Sequence, residues 1–198
     1  YAITDAHLLP GERLYDGVAA ALQGGARIIQ YRNKSASDSE QLEQAKKLVQ
    51  LCHQHDAKLI INDAVELCVK AGADGVHLGR CDGDVAAARA RLGADKLLGV
   101  TCHDDLEYAR RAAELGADYC AFGRLFPSQT KPDAPHCPLE RIAEAKAAGL
   151  CVVAIGGITQ HNASQVLQQG ADMLAVIHDL FSCADIEAQA RRYAALFT

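Results

Sequence analysis

Short apolar runs alternate along this chain with longer stretches in which apolar residues recur every three to four positions. The alternation predicts strands at 2–4, 27–31, 58–61, 75–77, 97–100, 119–122, 151–155 and 173–177, with helical segments between them. The clearest helix spans 38–55, where Leu42, Ala45, Leu48, Val49 and Cys52 form one apolar stripe. Two more are predicted at 104–115 and 185–197. The triplet Gly-Ala-Asp recurs at 72–74, 116–118 and 170–172, each time between a helical stretch and a strand. Glycine tolerates the left-handed conformation that ends a helix, so these triplets read as joints on the N-terminal rim of the strands and serve the fold. Strands that each lead into a helix predict an α/β chain with one (β/α)8 barrel domain over residues 1–198. An open doubly wound sheet is the alternative.

Polar residues of binding chemistry gather where the apolar runs stop. Gln30, Arg32 and Lys34 alternate after the second strand, so an extended segment projects all three to one side. Arg supplies a planar fork for phosphate oxygens and Lys a compact charge. Asn62 and Asp63 follow the third strand, Asp82 the fourth and Thr101 the fifth. Two carboxylates on neighbouring strands are too few for a Ca²⁺ cage and suit Mg²⁺, which keeps water and takes phosphate oxygens as further ligands. The competing reading makes Asp63 the cap of a helix starting near Ala64 and puts Asp82 in an ordinary turn. Ser128, Thr130 and Lys131 supply hydroxyls and a cation after the sixth strand. Gly157 belongs to a glycine pair after the seventh, before a helix that Asn162 is expected to cap. In barrels the loops after the seventh and eighth strands often hold phosphate, which raises the weight of this glycine pair.

Other candidates are weaker. Cys102 and His103 point to opposite faces of an extended segment, which argues against a thiol–imidazole pair. His53 and His55 fall near a helix end and are expected to face solvent. His77 and His178 close the fourth and eighth strands, and each is either a ligand contact or a satisfied structural histidine.

Composition narrows the function classes. The 198 residues carry a net charge of -5, no Trp and 5% aromatics, which argues against nucleic acid as a partner and against an anionic membrane surface. No apolar run reaches the length of a membrane span, and no basic segment followed by an apolar one suggests a secretory leader. The eight cysteines include no C-x-x-C pair and several lie within apolar runs, so reduced thiols and a cytoplasmic location are expected.

Six ordered motifs together resemble the thiamine phosphate synthase family from Tyr1 to Phe197. They are Tyr1-Ala2-Ile3-Thr4-Asp5, Gln30-x-Arg32-x-Lys34, Asn62-Asp63, Gly75-Val76-His77-Leu78-Gly79 with Asp82, Thr130-Lys131 and Ala154-Ile155-Gly156-Gly157-Ile158. The resemblance implies a barrel transferase of thiamine biosynthesis. Its small-molecule substrates would be a hydroxymethylpyrimidine diphosphate and a thiazole ethyl phosphate, with the carboxythiazole form left open. Thiamine phosphate and diphosphate would be the products. By resemblance, Gln30, Arg32, Lys34, Asn62, Thr101 and Lys131 hold the pyrimidine diphosphate, and Asp63 and Asp82 bind Mg²⁺ as cofactor. Ser128, Thr130, Gly157, Ile177 and His178 surround the thiazole phosphate, the last three largely through backbone. Arg32, Lys34, Lys131 and Thr101 form the catalytic set. The chain departs from the commoner family pattern at Thr101 and His178, where Ser is frequent, at Ser128, where Thr is frequent, and at Asn33, where an acid is frequent. A thiazole tautomerase relative and a non-catalytic phosphate sensor on the same barrel are the alternatives. Subunit number is not legible.

Overall fold

The computed structural model describes residues 1–128, 130 and 134–197. Strands β1 (Ala2–Ile3), β2 (Ile28–Tyr31), β3 (Lys58–Asn62), β4 (Gly75–Leu78), β5 (Leu97–His103), β6 (Tyr119–Phe122), β7 (Val152–Ile155) and β8 (Met173–Ala175) pair in parallel in sequence order. Ala2 bridges Val176, and Ile3 N–H donates to Val176 O at 3.0 Å, so the last strand returns to the first and closes a TIM barrel. Helices α1 (Arg13–Gln23), α2 (Asp38–Gln54), α3 (Val65–Ala71), α4 (Val85–Leu92), α5 (Leu106–Glu114), α6 (Glu140–Ala147), α7 (Ala163–Gln168), α8 (His178–Phe181) and α9 (Ile186–Ala194) follow the strands.

The strands read as near-continuous apolar runs because both faces are buried. Outward residues such as Ile29, Leu59, Ile61, Val76, Leu98, Val100, Phe122, Val152 and Leu174 pack under the helices. Inward residues Ile3, Tyr119, Ala121, Val153 and Ala175 form a separate cluster inside the barrel. Gly99 is required by this interior, since a Cβ there would land on the Tyr119 ring.

The Gly-Ala-Asp joints lie on the N-terminal rim as expected. Gly72, Gly116 and Gly170 all have positive φ, of 73°, 101° and 93°. Each aspartate reaches the preceding strand. Asp74 accepts from Leu59 N at 2.8 Å, Asp118 from Leu98 N at 2.6 Å and Asp172 from Val152 N at 2.7 Å. A cation balances each carboxylate: Lys58 at 3.2 Å, Arg89 at 2.6 Å and Lys146 at 2.7 Å. His53 also lies 3.0 Å from Asp74, so it is engaged on this rim and does not simply face solvent.

Most element ends fall within one or two residues of expectation, and three elements depart further. β5 extends to His103 through an irregularity between Thr101 and His103, and His103 has φ 54°. The last helix begins at Ile186, with Asp185 accepting from Ala188 N at 2.9 Å, and tightens into a 3₁₀ turn at Ala195–Phe197. α8 is a single extra turn, too short for a periodic sequence signal. All eight cysteines are free, and five of them are buried. Among the described residues no helix is long and apolar enough to cross a membrane.

Candidate active site

The C-terminal strand ends open into a cavity of about 260 Å³. Gln30, Arg32, Lys34, Asn62, Asp63, Asp82, Thr101, Ser128, Thr130, Gly157, Ile177 and His178 all line it. Lys131 lies outside the described residues. Residues as far apart as Gln30 and His178 meet because each follows or ends a strand of one closed barrel.

The floor of the cavity is half polar. Gln30 Nε2 donates to Tyr1 Oη at 2.7 Å, and Tyr1 Oη lies 2.9 Å from Tyr119 Oη. Tyr119 Oη is 3.3 Å from His77 Nδ1, and His77 Nε2 is 2.9 Å from Thr101 Oγ1. The chain of bonds joins β1, β2, β4, β5 and β6 below the rim. Burial pushes the Tyr1 phenol up to about 12, although its bonds to Tyr119 and Gln30 act the other way. Burial, then the neighbouring Tyr1, pushes Tyr119 well above its ordinary range. Both phenols therefore stay neutral at pH 7 and can donate as well as accept. Gln30 is 3% and His77 8% exposed, consistent with buried polar groups that are satisfied by partners. On the other side Ile3, Ala121, Val153, Ile155, Ala175 and Ile177 make an apolar wall.

The acids sit over a glycine. Asp63 has φ 62°, a left-handed conformation that Asp tolerates better than most residues. Its N–H donates to His77 O at 2.8 Å. This turn carries the carboxylate away from α3, whose cap position is Ala64 without a side-chain cap bond. The capping alternative for Asp63 is thus excluded. Its carboxylate instead accepts from Gly79 N at 3.2 Å and Asn62 Nδ2 at 2.6 Å, and Lys34 Nζ lies 3.3 Å away. Asp82 N–H donates to Gly79 O at 3.1 Å, which curls the loop back. A Cβ at Gly79 would overlap Asp82 Oδ2 and come within 3.7 Å of Asp63 Oδ1, so both carboxylates face the same small space. Arg80 steadies this loop through Asp105 Oδ2 at 2.6 Å and by lying 4.7 Å over the Tyr108 ring. Among the described residues no three metal-ligating side chains converge, which disfavours a cage built wholly from protein. Two carboxylates facing one space beside Lys34 are a donor set that could hold Mg²⁺, with water and ligand oxygens completing its shell.

The second cluster lies across the mouth. Gly156 and Gly157 have φ 99° and 66°, and a Cβ at Gly157 would strike Pro127 O. Asn162 occupies the position before α7 but does not cap it. Its side chain folds back, accepting from Thr159 N at 2.8 Å and donating to Gly157 O at 2.9 Å, and so shapes the glycine turn. His178 begins α8, with Nδ1 3.3 Å from Ser182 Oγ. Next to it, Asp179 accepts from Tyr193 Oη at 2.6 Å and Gln189 Nε2 at 2.7 Å, which ties α8 to α9.

Tyr1, His103, Arg124 and Asp179 also line the cavity and stood outside the residue set read from sequence. His103 and Arg124 carried the same signal as the others, a polar residue just past an apolar run. Tyr119 carried none, because a tyrosine in a strand reads as core, and Tyr1 entered only as the first residue of a motif of the resemblance.

A family model described as "Thiamine monophosphate synthase" matches residues 1–180. The thiamine-phosphate synthase of Chromobacterium violaceum is 52% identical over 197 residues, covering 100% of this chain and 95% of its own length. That of Methylobacillus flagellatus is 53% identical over 178 residues, covering 90% and 85%. Among solved structures, thiamine phosphate pyrophosphorylase from Pyrococcus furiosus superposes with a TM-score of 0.90 at 34% identity, covering 99% and 93%.

Proposed function

Because this chain belongs to the thiamine monophosphate synthase family and is a transferase of thiamine biosynthesis, we propose that its cavity joins a hydroxymethylpyrimidine diphosphate to a thiazole ethyl phosphate. The observation that carries this reading is the convergence of Asp63 and Asp82 over Gly79 beside Lys34, with a separate glycine-lined cup across the mouth. Two anion sites in one cavity suit two phosphorylated substrates.

The polar half of the floor suits an aminopyrimidine. Gln30 gives its amide nitrogen to Tyr1, which leaves the amide oxygen to accept from the ring amino group. His77 holds Thr101 so that its hydroxyl is oriented toward the ring. Arg32 and Lys34, with Lys131 from outside the described residues, bind the diphosphate and screen its charge as the carbon–oxygen bond breaks. Asp63 and Asp82 would hold Mg²⁺, which when bound supplies further neutralisation of the leaving group. The electron-rich pyrimidine bears the resulting methylene cation. The apolar wall presents the thiazole edge-on, and its ring nitrogen attacks. Ser128, Thr130, Gly157, Ile177 and His178 anchor the thiazole phosphate. No general base is needed, and the protein contributes mainly orientation and electrostatics.

A diphosphate-release assay with each component omitted in turn tests this. Release should require both substrates and a divalent cation. Full activity in an Asp63→Ala/Asp82→Ala double variant would exclude the proposal.

A further inference from the structure

Arg124 stands in the cavity wall with no part in the chemistry above. It follows β6 by one glycine, and its backbone is held on two sides. Arg124 N–H donates to Pro135 O at 3.1 Å, and Cys137 N–H donates to Arg124 O at 2.8 Å. The next two residues run along the end of β7, with Leu125 N–H to Ile155 O at 3.2 Å and Phe126 N–H to Gly156 O at 3.0 Å. The stem of Arg124 lies against Gly156, where a Cβ would come within 3.1 Å of both Arg124 Cβ and Cγ. Arg124 Nε donates to Ala134 O at 2.9 Å.

Backbone, stem and Nε are thus committed, while no ion pair or hydrogen bond among the described residues engages the two Nη groups. A half-buried guanidinium gives up hydration and regains it most fully from an anion. Its two Nη groups form a planar fork that matches phosphate oxygens. Position decides which anion. Arg124 touches the β7 glycine turn, whereas Arg32, Lys34, Asp63 and Asp82 lie on the β2–β4 side of the mouth.

We propose that Arg124 is a binding residue for the phosphate monoester of the thiazole substrate, its Nη pair completing the cup formed by Ser128, Thr130 and Gly156-Gly157. This rests on the two-substrate reading of the cavity. Tethering of the 134–137 segment is then the task of the backbone and Nε, and anion recognition that of the Nη groups.

The test compares wild type, Arg124→Ala and Arg124→Lys with the thiazole ethyl phosphate and with its unphosphorylated alcohol. Turnover is followed at saturating pyrimidine diphosphate, and binding of both thiazoles by calorimetry. Loss of a charge-assisted contact should weaken the phosphorylated thiazole roughly 10- to 100-fold in Arg124→Ala. The KM for the pyrimidine diphosphate should stay within about twofold, and affinity for the alcohol should fall far less than that for the phosphate, because the alcohol offers the Nη groups no anion and feels only the loss of the Nε bond to Ala134 O. Arg124→Lys should recover part of the loss. Equal losses for phosphate and alcohol would reduce Arg124 to a tether and overturn the proposal. So would an unchanged affinity for the phosphorylated thiazole. Wild type that binds the thiazole phosphate but releases no diphosphate would refute the transferase reading, and the calorimetric comparison would still decide the role of Arg124.

Discussion

Asp63 shows how much one backbone angle can decide. At φ 62° it leaves the helix it precedes and turns its carboxylate to Gly79, Asn62 and Lys34. Asn tolerates the same left-handed conformation, so Asp63→Asn separates charge from conformation. It should lower turnover about 10²- to 10³-fold and raise the Mg²⁺ concentration needed, with little change in melting temperature. Diphosphate release against Mg²⁺, together with a circular dichroism melt, checks both parts. Gly99 makes a contrasting case. Its replacement by Ala drives a methyl into the Tyr119 ring and disturbs the bonded floor, so a stability loss of about 1–3 kcal/mol is expected from denaturant unfolding. That Arg32, Asp63 and Asp82 face one cavity was legible because charged residues at apolar strand ends stand out. The roles of Tyr1 and Tyr119 were not, because only the closed barrel brings their hydroxyls 2.9 Å apart.

At the scale of elements, the two rims of the barrel have separate tasks. Asp118 and Asp172 hold neighbouring strands together at the end away from the cavity. Asp118→Ala leaves the Leu98 N–H without its side-chain acceptor and removes the ion-pair partner of Arg89, which keeps its bonds to the Gly93, Lys96 and Gly116 carbonyls, and a loss of about 1–3 kcal/mol is expected with KM values for both substrates unchanged. Asp74 adds a pH dependence. Burial opposes its ionisation, but the Leu59 N–H, His53 and Lys58 outweigh burial and hold its carboxyl below the ordinary 3.8. A depressed value stabilises the fold above the unfolded-state pKa of about 4, and that contribution is lost as pH falls through the folded-state value. Urea unfolding from pH 6 down to pH 2 should therefore show a steeper acid loss in wild type than in Asp74→Asn. Strand and helix positions were readable from periodicity, since a strand buried on both faces must be apolar throughout. The one-turn α8 and the overrun of β5 to His103 were not, because a few residues give no period and their conformation answers to neighbours.

For the whole molecule, the expected behaviour is that of one cooperative unit whose stability is linked to ligand. The chain has no Trp, so far-ultraviolet dichroism is the suitable probe. Mg²⁺ with pyrimidine diphosphate at about 100 times its dissociation constant should add about 2.7 kcal/mol of stability. The diphosphate without the metal should add less. Equal shifts with and without Mg²⁺ would count against Asp63 and Asp82 as its holders.

The amino-acid sequence by itself determined the alternation of strand and helix, the three aspartate joints and the order of polar strand ends. Each follows from local physics: side-chain period, the conformational freedom of glycine, and the cost of placing charge within an apolar run. Only the tertiary structure decided which of these residues share a space. Curvature of the closed barrel sets Tyr1 beside Tyr119, pairing of β3 with β4 brings Asp63 and Asp82 to the same space at Gly79, and pairing of β6 with β7 lays Arg124 against Gly156. Those juxtapositions span separations of up to 118 residues along the chain, and chain connectivity carries no distance information at that range until the barrel is closed.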